Sequence, residues 1–230
     1  MPGRPGDPAW HTDRIASRLT AMQPPPPITR ALLIASTILL FLGQIPALRL
    51  GLWQWLALLP VQSGLFFGYQ AVTYAFVNAD ALQWFFNMLA LYFFGSQLEG
   101  LWGTRRYIQF LLASTLMAAL FYLVLTFLVG SSTPLLGGSG AVFGMLVAFG
   151  VLFPNRRLML YFVAEVSMRT AVLVFIGIEV FMMLGNLTSA TAWIGNLAHL
   201  GGALGGYLMI LYWRWRPPSF KKKPPLRRVH

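Results

Sequence analysis

Apolar runs separated by short polar or basic stretches dominate the chain, and their lengths predict helices that cross a bilayer. The first run extends from about Ala31 to Leu48, the second from Leu82 to Leu98 and the third from Tyr107 to Val129. The fourth begins at Ser139 and stops before Pro154, the fifth covers Thr170 to Leu187, and the sixth Trp193 to Trp213. About 20 apolar residues, each rising about 1.5 Å, span a hydrocarbon core of about 30 Å. The fourth run is too short to reach both surfaces, so its Ser139 end is expected below the outer one. Gly51 to Asp80 is mixed and carries Trp53, Trp55, Tyr69 and Tyr74, residue types that favour the membrane interface. Its apolar pieces, Leu56 to Leu59 and Leu65 to Phe67, are too short to cross. This segment reads as a partly embedded loop on the outer side.

The polar ends complete the plan. Residues 1–30 hold a stiff polyproline stretch, Pro24 to Pro27, and no apolar core of a cleaved signal peptide. They read as a disordered cytoplasmic tail, followed by a membrane domain at 31–213 and a basic tail at 214–230. Six spans place both termini on one side. With the amino terminus cytoplasmic, every Lys and Arg except Arg49 falls in an inner segment. That asymmetry fixes the orientation, because cytoplasmic loops retain basic residues.

Composition agrees with this class, at 57% hydrophobic and 10% charged residues. A net charge of +11 raises the question of nucleic acid. The cations, however, cluster at the ends of apolar runs and in Lys221-Lys222-Lys223 and Arg227-Arg228, which suits anionic headgroups instead. The absence of cysteine rules out disulfides and thiolate metal sites. Three histidines, His11, His199 and His230, are too few for a histidine-rich metal site, so neither metal nor cofactor is expected.

Against this background the buried polar residues stand out, since polar groups at membrane depth are costly. Asn87, Ser139 and His199 fall within about two turns of the outer beginnings of the second, fourth and sixth helices, roughly 0–9 Å in depth. Three polar groups from three helices at one depth suggest a shared site. Ser139 opens its helix, so its backbone N–H belongs to the unpaired first turn, which favours an anion. Gly137 and Gly138 allow a tight, open backbone before it. A serine attacking a carbonyl creates an oxyanion beside that N–H. The plainer reading is that Ser139 is an N-cap and that Gly140 and Gly144 form a small-residue packing seam.

His199 precedes Gly202 and Gly206, four apart on one face, which permits close approach to a neighbouring helix. It reads either as a base for Ser139 or as a hydrogen-bonding group in helix association. Asn87 can donate its amide to the oxyanion, or can join helices only. Gln83, one turn earlier on the same face, is a second candidate donor. Glu99 reads as structural, pairing with local backbone N–H groups or with Arg105 and Arg106. Glu179 sits mid-span in the fifth helix without an assignable partner. It reads as a protonated buried carboxyl or as a lipid or substrate contact.

The sequence resembles the rhomboid family of intramembrane serine proteases over roughly Tyr69 to Tyr207. The elements are Asn87-Met88 leading to Phe94-Gly95-Ser96-Gln97-Leu98-Glu99, then Trp102-Gly103-Thr104-Arg105-Arg106-Tyr107. Gly137-Gly138-Ser139-Gly140-Ala141-Val142-Phe143-Gly144 follows, and Ala198-His199-Leu200-Gly201-Gly202-Ala203-Leu204-Gly205-Gly206 ends the series. The resemblance implies an all-α membrane protein, a six-transmembrane-helix rhomboid-like bundle with a partly embedded first loop, in a bacterial inner membrane. It implies a Ser139–His199 catalytic dyad without a third acidic member, acting through an acyl-enzyme on transmembrane segments of substrate proteins. The oxyanion would be held by the Ser139 N–H and Asn87. Phe143 and Gly202 would pack against the dyad, and Gly140 and Gly206 would be structural.

Four positions depart from the family pattern. Gln83 stands where many members have histidine, Tyr69-Gln70 replaces a common Trp-Arg pair, and Asn78 replaces a frequent histidine. They motivate an alternative, a catalytically silent rhomboid-like protein that binds membrane clients. A small transporter is a further class, but no repeated halves are visible.

Overall fold

The computed structural model describes residues 24–160, 164–185 and 190–215. The expected amino-terminal tail lies outside the described residues up to position 23, and the basic tail lies outside them from position 216. The end of the fifth expected span at 186–187 is outside them too.

Pro27 opens α1 (Pro27–Gly43), at a helix position where its missing N–H costs nothing. The next donors in that first turn are met from a distance. Glu99 accepts from the backbone N–H of Ile28 at 3.0 Å and of Thr29 at 2.8 Å, and from Thr29 Oγ1 at 2.9 Å. A carboxylate at a helix start satisfies orphan donors and meets the positive end of the dipole. Glu99 is therefore structural, but its partners are a remote helix start. Among the described residues it forms no ion pair with Arg105 or Arg106. Arg106 instead lies over the Trp213 ring, 5.3 Å from its centre.

The first expected span, Ala31 to Leu48, is not one helix. Pro46 lacks a backbone N–H and its ring clashes with the preceding turn, so α1 stops and α2 (Pro46–Leu56) begins there. The segment down to Asp80 is folded, not open. The buried Gln70 side chain, in the short α3 (Gln70–Thr73), ties it together. Its Oε1 accepts from the N–H of Leu59 and Phe67, and its Nε2 donates to the carbonyls of Gln54 and Leu65.

Asp80 caps α4 (Ala81–Ala90) by accepting from the N–H of Gln83 at 2.8 Å. A π-helical turn, Leu91–Gly95, carries the helix on into α5 (Ser96–Trp102). After Gly103, at φ +76°, comes the long α6 (Thr104–Val129). The short α7 (Ser139–Leu152) follows and buries an unbroken run from Met145 to Phe149. Strands β1 (Arg157–Leu160) and β2 (Ala164–Ser167) then pair antiparallel. The fold is thus mostly helical but not purely α. Two helices complete it, α8 (Met168–Gly185) and α9 (Ala190–Trp215).

Three helices are long and apolar enough to cross a membrane: Thr104–Val129, Met168–Gly185 and Trp193–Trp215. Pro27–Gly43 and Ser139–Leu152 are apolar but shorter. With outward-facing side chains such as Phe127, Leu128, Leu173 and Phe181 strongly exposed, the chain is an integral membrane protein.

The centre of the bundle is built on glycine. On α9, Gly201 and Gly205 face α6, where an added Cβ would meet Phe121 and the Ala113 carbonyl at 2.8 and 2.6 Å. Gly202 and Gly206 face α7, against the backbones of Gly140 and Gly144. Two pairs of small residues on adjacent faces let α9 sit backbone to backbone between two neighbours.

Candidate active site

The site forms where α7 begins. Gly137 has φ +109°, a conformation that L side chains rarely adopt, and its N–H donates to the Tyr74 carbonyl at 3.0 Å. A Cβ at Gly137 would meet the Gln83 amide at 2.6 Å, and one at Gly138 the Ala75 carbonyl at 2.9 Å. The backbone before Ser139 is pressed between the 3-10 turn at Tyr74–Phe76 and α4. Ser139 is the first residue of α7, so its N–H has no intrahelical partner.

His199 reaches this point from α9. Its Nε2 lies 2.7 Å from Ser139 Oγ, a hydrogen bond that joins positions sixty residues apart. Phe143, one turn along α7, stacks flat on the imidazole, with centres 4.9 Å apart and planes 8° from parallel. Gly202, one turn after His199, lies on the backbone of Gly140, the residue next to Ser139, and Gly206 lies on Gly144. Geometry therefore unites Ser139, His199, Phe143, Gly140, Gly202 and Gly206 in one seam.

The far side of the imidazole carries a residue that sequence reasoning left without a partner. Glu179, on α8, places Oε1 3.1 Å from His199 Nδ1. The pair is within ion-pair range but not in line for a hydrogen bond, and Glu179 Oε2 is unpartnered. Asn196, one turn before His199, donates to the Glu179 backbone carbonyl at 3.3 Å and holds α8 in register with α9. The resemblance implied a dyad without a third acidic member, and here a carboxyl lies beside the second imidazole nitrogen. The available signal was a lone carboxylate in an apolar span, which by default marks function. Its target depended on how two helices cross.

Asn87 is buried on α4, and its Nδ2 donates to Asn78 Oδ1 at 3.0 Å, leaving its second N–H for another acceptor. Gln83 is more fully engaged. Its Oε1 accepts from the Ala79 N–H at 2.8 Å and its Nε2 donates to the Leu136 carbonyl at 3.2 Å. It thus staples the start of α4 to the loop before Ser139. A mainly apolar cavity of about 200 Å³ lies beside these groups, lined by Asn87, Met88, Gly138, Ala141 and Val142 with residues of α1. It reaches Gly138 without including Ser139 or His199. The arrangement brings a serine hydroxyl and an imidazole nitrogen within hydrogen-bond distance at one helix start. No cluster suited to a metal ion occurs among the described residues.

Comparison with known proteins places the chain among relatives. The rhomboid domain model matches residues 66–216. The chain is 30% identical over 146 residues to RHOMBOID-like protein 12, mitochondrial, of Arabidopsis thaliana, covering 57% of this chain and 42% of that protein. It is 36% identical over 77 residues to Rhomboid protein 1, mitochondrial, of Saccharomyces cerevisiae, covering 33% and 22% respectively. The chain spans less than half the length of these two relatives.

Proposed function

The chain belongs to the rhomboid family, and on that premise we propose that it is an intramembrane serine endopeptidase acting on transmembrane segments of other membrane proteins. The 2.7 Å contact between Ser139 Oγ and His199 Nε2 carries the reading. In the proposed reaction Ser139 Oγ attacks the scissile carbonyl while His199 Nε2 takes the hydroxyl proton. The oxyanion is met by the Ser139 N–H and by Asn87. The C–N bond then breaks, His199 gives its proton to the leaving amine, and an ester to Ser139 remains. Water, deprotonated by His199, attacks the ester; the bond to Ser139 Oγ breaks, His199 returns its proton to Oγ, and the acid is released.

The proposed domain is a six-span bundle over 31–213, in which α1, the Ala81–Trp102 run and the short α7 join the three long helices. Both termini face the cytoplasm of a bacterial cell, so the basic ends meet anionic headgroups. The two relatives above carry mitochondrial names. The chain's lack of cysteine makes orientation directly measurable. A single cysteine at Arg49 should react with an impermeant maleimide on intact cells, and one at Arg157 should not. The opposite pattern overturns this orientation.

Purified protein in liposomes should cut a single-span substrate, and Ser139→Ala or His199→Ala should abolish cutting. Full activity in both variants removes the dyad. The engagement of Gln83 with Leu136 and of Asn87 with Asn78 favours a second reading, a catalytically silent client-binding rhomboid-like protein. Labelling of Ser139 by a fluorophosphonate excludes it, and lack of both labelling and cleavage supports it.

A further inference from the structure

We infer that Glu179 is a positioning residue for His199, making the proposed dyad a Ser139–His199–Glu179 triad. The inference rests on the protease reading, and its observation is independent of that reading. A carboxyl in the middle of an apolar helix costs free energy unless it meets a partner. The partner met by Glu179 is the one imidazole nitrogen that Ser139 does not use, at 3.1 Å. Its backbone is registered against the same helix by Asn196.

Tautomer chemistry makes that contact consequential. Ser139 can give its proton only to a bare Nε2, so the ring proton must sit on Nδ1. An ionised Glu179 beside Nδ1 accepts from that N–H and selects this tautomer. A protonated Glu179 would instead donate to Nδ1 and leave the proton on Nε2, where it blocks the serine. When the hydroxyl proton moves to Nε2, the imidazolium formed faces the carboxylate, which stabilises it without taking the proton. Stacking on Phe143 fixes the plane of the ring, and Glu179 fixes which edge faces Ser139.

The off-line approach and the unpartnered Oε2 belong to the same picture. The two side chains are 24% and 13% exposed, so the pair is neither fully solvated nor sealed. A small rotation brings the carboxylate into line as charge develops on the ring. Contacts in resting sites are often poorly aligned and tighten only during reaction.

The test compares wild type, Glu179→Gln and Glu179→Asp for cleavage, Ser139 labelling by a fluorophosphonate and thermal unfolding in detergent. General-base assistance is worth about 10²–10⁴-fold, so Glu179→Gln should lower kcat and the labelling rate by about 10²-fold. KM should hold within about 2-fold, and Glu179→Asp should regain about 10-fold over the amide. Equal rates in wild type and Glu179→Gln, or equal loss in Gln and Asp variants, overturn the inference and leave the protease reading standing. Should the variants fail to fold, nitrogen NMR of histidine-labelled wild type decides, with His199 assigned against His199→Ala. The Nδ1–H tautomer supports the link, and the Nε2–H tautomer overturns it. Wild type that neither cuts nor labels overturns the protease reading, while the same spectrum still judges the Glu179–His199 contact.

Discussion

Replacing Gly202 by alanine tests whether the helix seam sets the distance between Ser139 and His199. In the native packing a Cβ at this position would lie 2.5 Å from the Gly140 carbonyl carbon and 2.7 Å from its Cα. Carbon atoms settle at about 3.5–4.0 Å, so α9 must retreat from α7 by about 1 Å. Backbone, not a flexible side-chain tip, stands in the way, so nothing local can yield instead. Gly140 adjoins Ser139 and Gly202 lies one turn from His199, so the retreat passes directly to the dyad. Its 2.7 Å contact would open to about 3.7 Å, outside hydrogen-bond range. A misplacement of about 1 Å costs about 10²-fold in rate, and overpacking costs about 1–3 kcal/mol of stability. The assay is fluorophosphonate labelling of Ser139 alongside substrate cleavage, with thermal unfolding on the same samples. Gly177→Ala on α8, where a Cβ meets nothing within 4 Å, is the control and should leave labelling unchanged. Wild-type labelling and wild-type Tm in Gly202→Ala would refute the reasoning.

Asn87→Ala should reduce cleavage by about 10²–10³-fold, the usual loss for one oxyanion donor, with Ser139 retained in hydrogen-bond contact with His199. Cleavage rates at saturating substrate measure this, and an unchanged kcat would remove Asn87 from the reaction. Glu99→Ala strips the start of α1 of its acceptor and leaves a buried donor at Thr29 and a half-buried one at Ile28 without a partner. At about 1–3 kcal/mol for each such donor, unfolding in detergent should shift by at least about 2 kcal/mol. A Tm equal to wild type would show that water replaces the carboxylate.

Local features of sequence made the seam legible. Ser139 and His199 are polar within apolar glycine-rich runs, and the four-residue spacing of Gly202 and Gly206 announces a face for close approach. Because helix rise is a fixed length, position along the chain puts Asn87 at the depth expected of these two. Pro46 was visible too, but averaged hydropathy across Ala31 to Leu48 concealed the break that its missing N–H imposes. Glu99 shows a different kind of limit. Its charge suggested nearby arginines, whereas its partners are the unpaired donors of a helix start about seventy residues earlier. Glu179 was conspicuous without a target, since contacts between α8 and α9 follow from a crossing geometry that no spacing encodes. The paired strands Arg157–Leu160 and Ala164–Ser167 fall in the mixed connection between the fourth and fifth runs, where run length alone assigns no element.

The π-helical turn at Leu91–Gly95 alters the angular phase of the helix that carries Asn87. In an uninterrupted α-helix Asn87 and Glu99 would point about 120° apart, at about 100° per residue. Absorbing the equivalent of one extra residue brings them to within about 20°. Both side chains are in fact buried, at 6% and 3% exposure. One rod can thus turn the Asn87 amide inward and a carboxylate to the foot of α1. Deleting a single residue from that turn would swing the two ends out of phase while leaving every contact residue in the sequence.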